Sequence, residues 1–210
     1  MNAPVRIKIC GITNQEDAFA AIDAGADALG FNLFPGSRRH VRLEDITPWL
    51  PSLGGHALRV AVMVNPSPSE LLGAQLLFDA VQLHGQETPA LCAEAAARGT
   101  LWKALPLSLD PTPYQAHALV IDSAPPGAFG GTGVLINLEE ASAFVRSYTT
   151  RPIWLSGGLH PANITEAVEK VRPYGVDVAS GVEVPGDPRR KDSARVRAFI
   201  AAARQAPGVA

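Results

Sequence analysis

The sequence predicts an α/β protein, a single (β/α)8 TIM barrel, on three observations. Short β-rich runs alternate with helical stretches along the whole chain, the pattern of βαβ units and a parallel sheet. Eight such runs fit within 210 residues, a compact example of a barrel class that starts at ~200 residues. No low-complexity block or long polar linker interrupts the chain, so one domain over residues 1–210 is expected. A doubly wound open sheet, usually of about five or six strands, would require two of the eight runs to be something else.

The first strand, Arg6–Cys10, alternates apolar Ile7 and Ile9 with Lys8 and Cys10, and the helical stretch Asn14–Ala24 follows it. The second and third strands, Asp27–Leu33 and Leu58–Val64, lead into helices Leu43–Leu50 and Ser69–Leu77. Strand four, Ala80–His84, precedes helix Pro89–Ala97, and strand five, Leu101–Leu105, runs into Pro106–His117. That interval holds Pro106, Pro111 and Pro113, so it reads as a loop or a broken helix. Strands six, seven and eight are Ala118–Asp122, Pro152–Ser156 and Val176–Ser180. Their helices are Leu138–Ser147, Ala162–Val171 and Ser193–Ala203.

Composition removes several function classes. A hydrophobic fraction of 47% with 18% charged residues supports a sizeable core and excludes a mainly disordered chain. The 18 basic and 20 acidic residues nearly cancel, so no nucleic-acid footprint or basic membrane patch is expected. Aromatics at 6% argue against a base-stacking platform. Two cysteines, Cys10 and Cys92, make neither a disulfide framework nor a zinc site by themselves, which points to a reducing, cytoplasmic setting. The first residues lack the apolar core of a signal peptide, and no apolar run approaches the ~20 residues of a membrane helix.

In a barrel the site lies in the loops at the carboxyl ends of the strands. Alternation along the first strand sends Ile7 and Ile9 toward the outer helices and Lys8 and Cys10 inward. Cys10 then reads either as a base or nucleophile, its thiol acidified by a nearby ammonium, or as a small buried apolar residue. Asp122 closes the sixth strand and faces inward. It is either an acid or base raised by burial or a cap on the following turn. Gln82 and His84 share the inward face of the fourth strand and can hydrogen-bond a polar ligand, while Asp177 lies deeper on the eighth. Glycine turns follow three strands: Gly130-Gly131-Thr132-Gly133, Ser156-Gly157-Gly158 and Ser180-Gly181. Bare backbone N–H groups at such turns suit a phosphate. In the loop after the second strand, Arg39 can bind a carboxylate or phosphate in bidentate fashion, whereas Arg38 reads as a solvated surface residue.

Lys8-Ile9-Cys10-Gly11-Ile12-Thr13-Asn14 resembles the opening signature of the phosphoribosylanthranilate isomerase family of tryptophan biosynthesis. Further segments match in family order, from Gly25–Phe31 and Pro35–Arg39 through Val81–Gly85 and Leu155–Leu159 to Val176–Glu183. The resemblance implies a barrel with a degenerate fifth helix and an Amadori rearrangement without cofactor or metal. N-(5-phosphoribosyl)anthranilate becomes 1-(2-carboxyphenylamino)-1-deoxyribulose 5-phosphate. It implies Asp122 as general acid on the furanose ring oxygen and Cys10 as general base at C2. It also implies Arg39 on the anthranilate carboxylate and Gly131, Gly133, Gly157, Gly158, Ser180 and Gly181 around the phosphate. Gln82, His84 and Asp177 complete the expected substrate contacts.

Two departures stand out. The Phe-Asp-Trp usual shortly after the Gly130-Gly131-Thr132-Gly133 turn is Ile136-Asn137-Leu138 here, with Asn137 still able to cap a helix. A tyrosine commonly follows the loop arginine, and here it is His40. Among competing readings, a related ribotide isomerase would pair two aspartates where this chain has Cys10 and Asp122. An aldolase-like barrel would need Lys8 or Lys103 as a Schiff-base lysine. A non-catalytic phosphate-binding barrel would not need the Cys10/Asp122 pair. The expected partner is a phosphorylated small molecule, and the sequence assigns no oligomeric partner.

Overall fold

The computed structural model describes residues 4–123 and 135–206. Strands β1 (Arg6–Cys10), β2 (Ala28–Asn32), β3 (Leu58–Met63) and β4 (Ala80–Leu83) form the first half of the sheet. Strands β5 (Leu101–Pro106), β6 (Ala118–Asp122), β7 (Ile153–Leu155) and β8 (Gly175–Val178) form the second. All eight are parallel in chain order, and β1 pairs with β8 to close the barrel.

Helices α1 (Gln15–Asp23), α2 (Leu43–Ile46), α3 (Pro68–Leu77) and α4 (Pro89–Arg98) surround the first half, and α5 (Leu138–Ser147), α6 (Ile164–Val171) and α7 (Ser193–Gln205) the second. Local chemistry sets several of their starts. Asn14 Oδ1 accepts from the Asp17 N–H at 2.8 Å, and Ser67 and Glu70 form a reciprocal capping box. Asn137 caps α5 as its sequence suggests, accepting from the Glu139 and Glu140 N–H groups at 3.0 and 3.2 Å.

Between β5 and β6 the chain forms turns and no helix, consistent with the three prolines there. A groove of about 760 Å³ runs along this segment between α4 and the end of α5. Three elements differ from expectation. The helix expected over Leu43–Leu50 ends at Ile46: Thr47 keeps αR geometry as the C-cap, but Pro48 has no N–H to continue the ladder. A 3-10 turn over Leu50–Leu53 follows. The eighth strand stops at Val178, and Ser180 begins a 3-10 turn over Ser180–Val182 rather than ending a strand. A short antiparallel hairpin, β9 (Glu183–Val184) and β10 (Asp187–Lys191), then turns through Pro185-Gly186 with Gly186 at φ +83° before α7.

Strand alternation divides the core in two. Ile7, Ile9, Leu29, Phe31, Leu119 and Ile121 belong to the layer between sheet and helices. Inside the barrel sit Ala28, Val60, Ala104, Val120 and the stacked pair Trp102 and Trp154, whose ring centroids are 4.7 Å apart. Tyr174, just before β8, meets Trp154 edge-on and closes the amino end. This leaves the polar inward residues facing the other mouth.

Candidate active site

At the carboxyl ends of the strands a cavity of about 240 Å³ is lined by Cys10, Arg39, Gln82, His84, Asp122 and Asp177. The six come from β1, the loop after β2, β4 and its end, β6 and β8. Closure of the barrel is therefore what brings them together.

Cys10 is half-buried. Its thiol and the Lys8 ammonium both lie over the bare Cα of Gly30, the β2 residue paired with Cys10. A Cβ at Gly30 would stand 2.7 Å from Cys10 Sγ and 3.0 Å from Lys8 Nζ. The nearest atoms belong to these two side chains, so Gly30→Ala is expected to displace both. It should cut turnover at least tenfold with only a modest loss of stability. Steady-state kinetics beside a urea melt would show this, and unchanged kcat in a folded Gly30→Ala protein would refute it. Burial pushes the Cys10 thiol up, the Lys8 ammonium pulls it down, and Asp177 pushes it up again, leaving it above the ordinary thiol value.

Lys8 is fully buried and donates to both Asp177 oxygens, at 3.0 and 2.9 Å. Burial alone would lower the ammonium, but Asp177 and Cys10 outweigh it and raise the group above its ordinary value. Asp177 thus commits both oxygens to Lys8 while lining the cavity.

Across the cavity, His84 Nε2 stands 3.4 Å from Asp122 Oδ2. Its Nδ1 is 3.1 Å from Gln82 Nε2. With the amide N–H donating to Nδ1, the imidazole proton sits on Nε2 and faces Asp122. That arrangement engages Asp122 Oδ2.

Arg39 is buried, whereas Arg38 is exposed as expected. The Arg39 side chain crosses Gly11, where a Cβ would collide with Arg39 Cδ at 2.4 Å. Arg39 Nε and Nη2 donate to the two oxygens of Glu183 at 2.5 and 3.1 Å, leaving Nη1 uncommitted to that carboxylate. Lys191 Nζ meets Glu183 Oε1 at 3.1 Å. The pairing of Glu183 and Lys191 behind Arg39 was not expected. The Pro185-Gly186 dipeptide signals the turn that carries them, but no local signal pairs Glu183 with Arg39, 144 residues away.

Burial pushes the Glu183 carboxyl up, yet the Arg39 hydrogen bonds and the Lys191 charge outweigh it and hold the group below its ordinary 4.5. A depressed carboxyl stabilises the fold above its unfolded value and loses that contribution as pH falls through the folded one. Glu183→Gln is therefore expected to lower stability at neutral pH and to flatten the loss below pH 4.5. Urea midpoints measured from pH 7 to pH 3 would test this, and parallel curves for the two proteins would refute it.

The glycine turns after β7 and β8 meet at the same mouth. Gly157 and Gly158, after β7, adopt φ of +99° and +63°. Gly181 packs so closely that a Cβ would lie 2.0 Å from the Leu159 carbonyl oxygen. Backbone of the turns after β7 and β8 is thus in direct contact, with Ser180 beside it. Gly131 and Gly133 lie outside the described residues.

A closed parallel barrel with titratable side chains gathered at the carboxyl ends of its strands places the chain among the (β/α)8-barrel enzymes. The family model described as N-(5'phosphoribosyl)anthranilate (PRA) isomerase matches residues 7–202. A protein named N-(5'-phosphoribosyl)anthranilate isomerase from Geobacter metallireducens is 44% identical over 203 residues, 93% of this chain and 97% of its own. The crystal structure of phosphoribosyl anthranilate isomerase from Thermotoga maritima superposes with a TM-score of 0.83 at 34% identity, covering 96% of this chain and 99% of that one. A structure of the same enzyme type in complex with reduced 1-(o-carboxyphenylamino)-1-deoxyribulose 5-phosphate gives 0.80 at 33% identity, with the same coverage. The chain belongs to the N-(5'-phosphoribosyl)anthranilate isomerase family.

Proposed function

We propose that this protein isomerises N-(5'-phosphoribosyl)anthranilate to 1-(2-carboxyphenylamino)-1-deoxyribulose 5-phosphate in tryptophan biosynthesis, with Asp122 as general acid and Cys10 as general base. The observation that carries this reading is that Cys10 and Asp122 line one cavity, each with its own charged or polar supporter, Lys8 and His84.

In the proposed sequence Asp122 gives a proton to the furanose ring oxygen. The C1–O bond breaks as the anilino lone pair forms the C=N bond of a Schiff base. The Cys10 thiolate then takes the C2 proton, and that electron pair becomes the C1=C2 bond of an enolamine. Tautomerisation removes the 2-hydroxyl proton and places one on C1. Two protons are added and two removed, so the sum is an isomerisation that needs no oxidant or reductant.

Arg39 Nη1 is the group offered to the anthranilate carboxylate, in a rim where Glu183 already fixes the other guanidinium nitrogens. Gln82 and His84 line the path of the ribose between the carboxylate and phosphate ends of the ligand. Asp177 acts from behind Lys8. The turns at Gly157, Gly158, Ser180 and Gly181 supply backbone N–H groups for the phosphate, together with Gly131 and Gly133. A cytoplasmic setting belongs to the same reading and is supported by two free cysteines. No helix among the described residues is long and apolar enough to cross a membrane.

The test is twofold. The gene should restore growth without tryptophan to a strain lacking this isomerase, and the purified protein should consume N-(5'-phosphoribosyl)anthranilate. Binding of a product analogue without turnover or complementation would overturn the reading.

A further inference from the structure

We propose that the buried Lys8–Asp177 ion pair is a positioning device that sets the balance between thiol and thiolate at Cys10, its two members acting in opposite directions. The inference rests on the reading of Cys10 as the base.

An ammonium has three N–H donors. Lys8 directs two at Asp177 Oδ1 and Oδ2. Its Nζ shares with Cys10 Sγ the space above Gly30, so the third donor is within reach of the sulfur. The register fixes this arrangement. Lys8 pairs with Asp177 across β1 and β8, and Cys10 pairs with Gly30 across β1 and β2. The β2 residue facing both side chains is thus the one without a side chain of its own.

Stability gives no reason for the pair. The apolar part of the interior is alanine, valine and stacked tryptophan, and replacing a buried ion pair by apolar residues of similar volume is often neutral or stabilising. Retaining a charge there costs desolvation, and the group it touches at the open end is Cys10.

The electrostatics have definite signs. The ammonium favours the thiolate, and the carboxylate behind it disfavours the thiolate while keeping the ammonium charged. Other charged groups face Cys10 as well. Arg39 comes from the loop after β2, and Lys191 and Glu183 from the β9–β10 hairpin, with Lys191 also favouring the thiolate. His84 and Asp122 stand on β4 and β6 across the cavity. Lys8 and Asp177 differ from these in lying two residues deeper along β1 and its β8 partner than Cys10.

The experiment follows the rate of iodoacetamide alkylation of Cys10 against pH, resolved from Cys92 by peptide mass spectrometry. It uses the full-length protein without substrate. In Lys8→Met the midpoint should rise by about one pH unit or more, and in Asp177→Asn it should fall. The acidic limb of the kcat/KM profile should move in the same two directions. Lys8→Met leaves Asp177 unpaired, so Lys8→Met/Asp177→Leu supplies a neutral interior; it should fold at least as stably as the parent and still turn over at least tenfold more slowly. Shifts of the same sign, or no shift in either single variant, would overturn the inference, as would a fully active neutral double variant. Failure of the base assignment is distinct, since it would appear as full activity in Cys10→Ala whatever the alkylation midpoints.

Discussion

Cys10→Ala is expected to lower kcat by about 10²–10⁴-fold, the range that one positioned acid or base contributes, with KM and the urea midpoint nearly unchanged. The thiol is half-buried at the cavity wall and fills no core layer, so its loss removes chemistry and little packing. Asp122→Asn should cost a similar factor. An amide keeps the size and the contact with His84 but cannot give its proton to the ring oxygen. The two losses should not multiply. Once ring opening is blocked the base has no acidic C2 proton to remove, so the double variant should fall close to the worse single one. Rapid-mixing turnover measurements on all three proteins, with circular dichroism to verify folding, decide the matter. Normal kcat in either single variant would remove that residue from its role.

Cys10 and Asp122 could be nominated from the sequence because each closes a strand in which alternation is unambiguous. Ile7 and Ile9 on β1, and Leu119 and Ile121 on β6, claim the outer face and leave one direction for the polar neighbour. The absence of a helix between β5 and β6 was likewise legible in three prolines. Less legible were features made by tertiary contact. Asp177 reads from its deeper strand position as more structural than ligand-binding, though it is also among the expected substrate contacts, and only the β1–β8 register shows both its oxygens held by a lysine 169 residues away. Arg39 reads as an uncommitted anion clamp, and only the β9–β10 hairpin shows Glu183 occupying one edge of it. Long-range charge pairs leave no periodic trace, because one residue of each kind suffices and the spacing is arbitrary.

Lys103 shows the same limit and leads to the largest expected effect on stability. From the sequence it reads as an inward Schiff-base candidate on β5, but the register overturns this: Trp102 and Ala104 take the interior, and Lys103 shares the outward face with Leu101, Leu105 and its partners Leu83 and Leu119. In the fold it is fully committed: Nζ donates to Glu87 Oε2 at 2.8 Å and to the Gly85 carbonyl at 2.9 Å, with both ion-pair side chains buried. Glu87 in turn accepts from the Asn65 N–H at 2.8 Å and from the Gly85 N–H. One carboxylate therefore ties the loops after β3 and β4 to the β5 lysine. Glu87→Ala should destabilise the protein by about 3–5 kcal/mol, because it strands a buried ammonium as well as two backbone donors. For a chain of this length that corresponds to a fall in Tm of about 6–20 °C. Glu87→Gln, which keeps an oxygen for the backbone donors, should lose clearly less. The damage should also reach the site, since Gly85 directly follows His84 and any loosening there shifts the imidazole against Asp122. At a temperature where Glu87→Ala is still folded, kcat should fall several-fold while borohydride with substrate traps no lysine adduct in the parent protein. A Glu87→Ala protein as stable as the parent would mean that Lys103 finds other partners, and trapping at Lys103 would mean that its role is chemical after all.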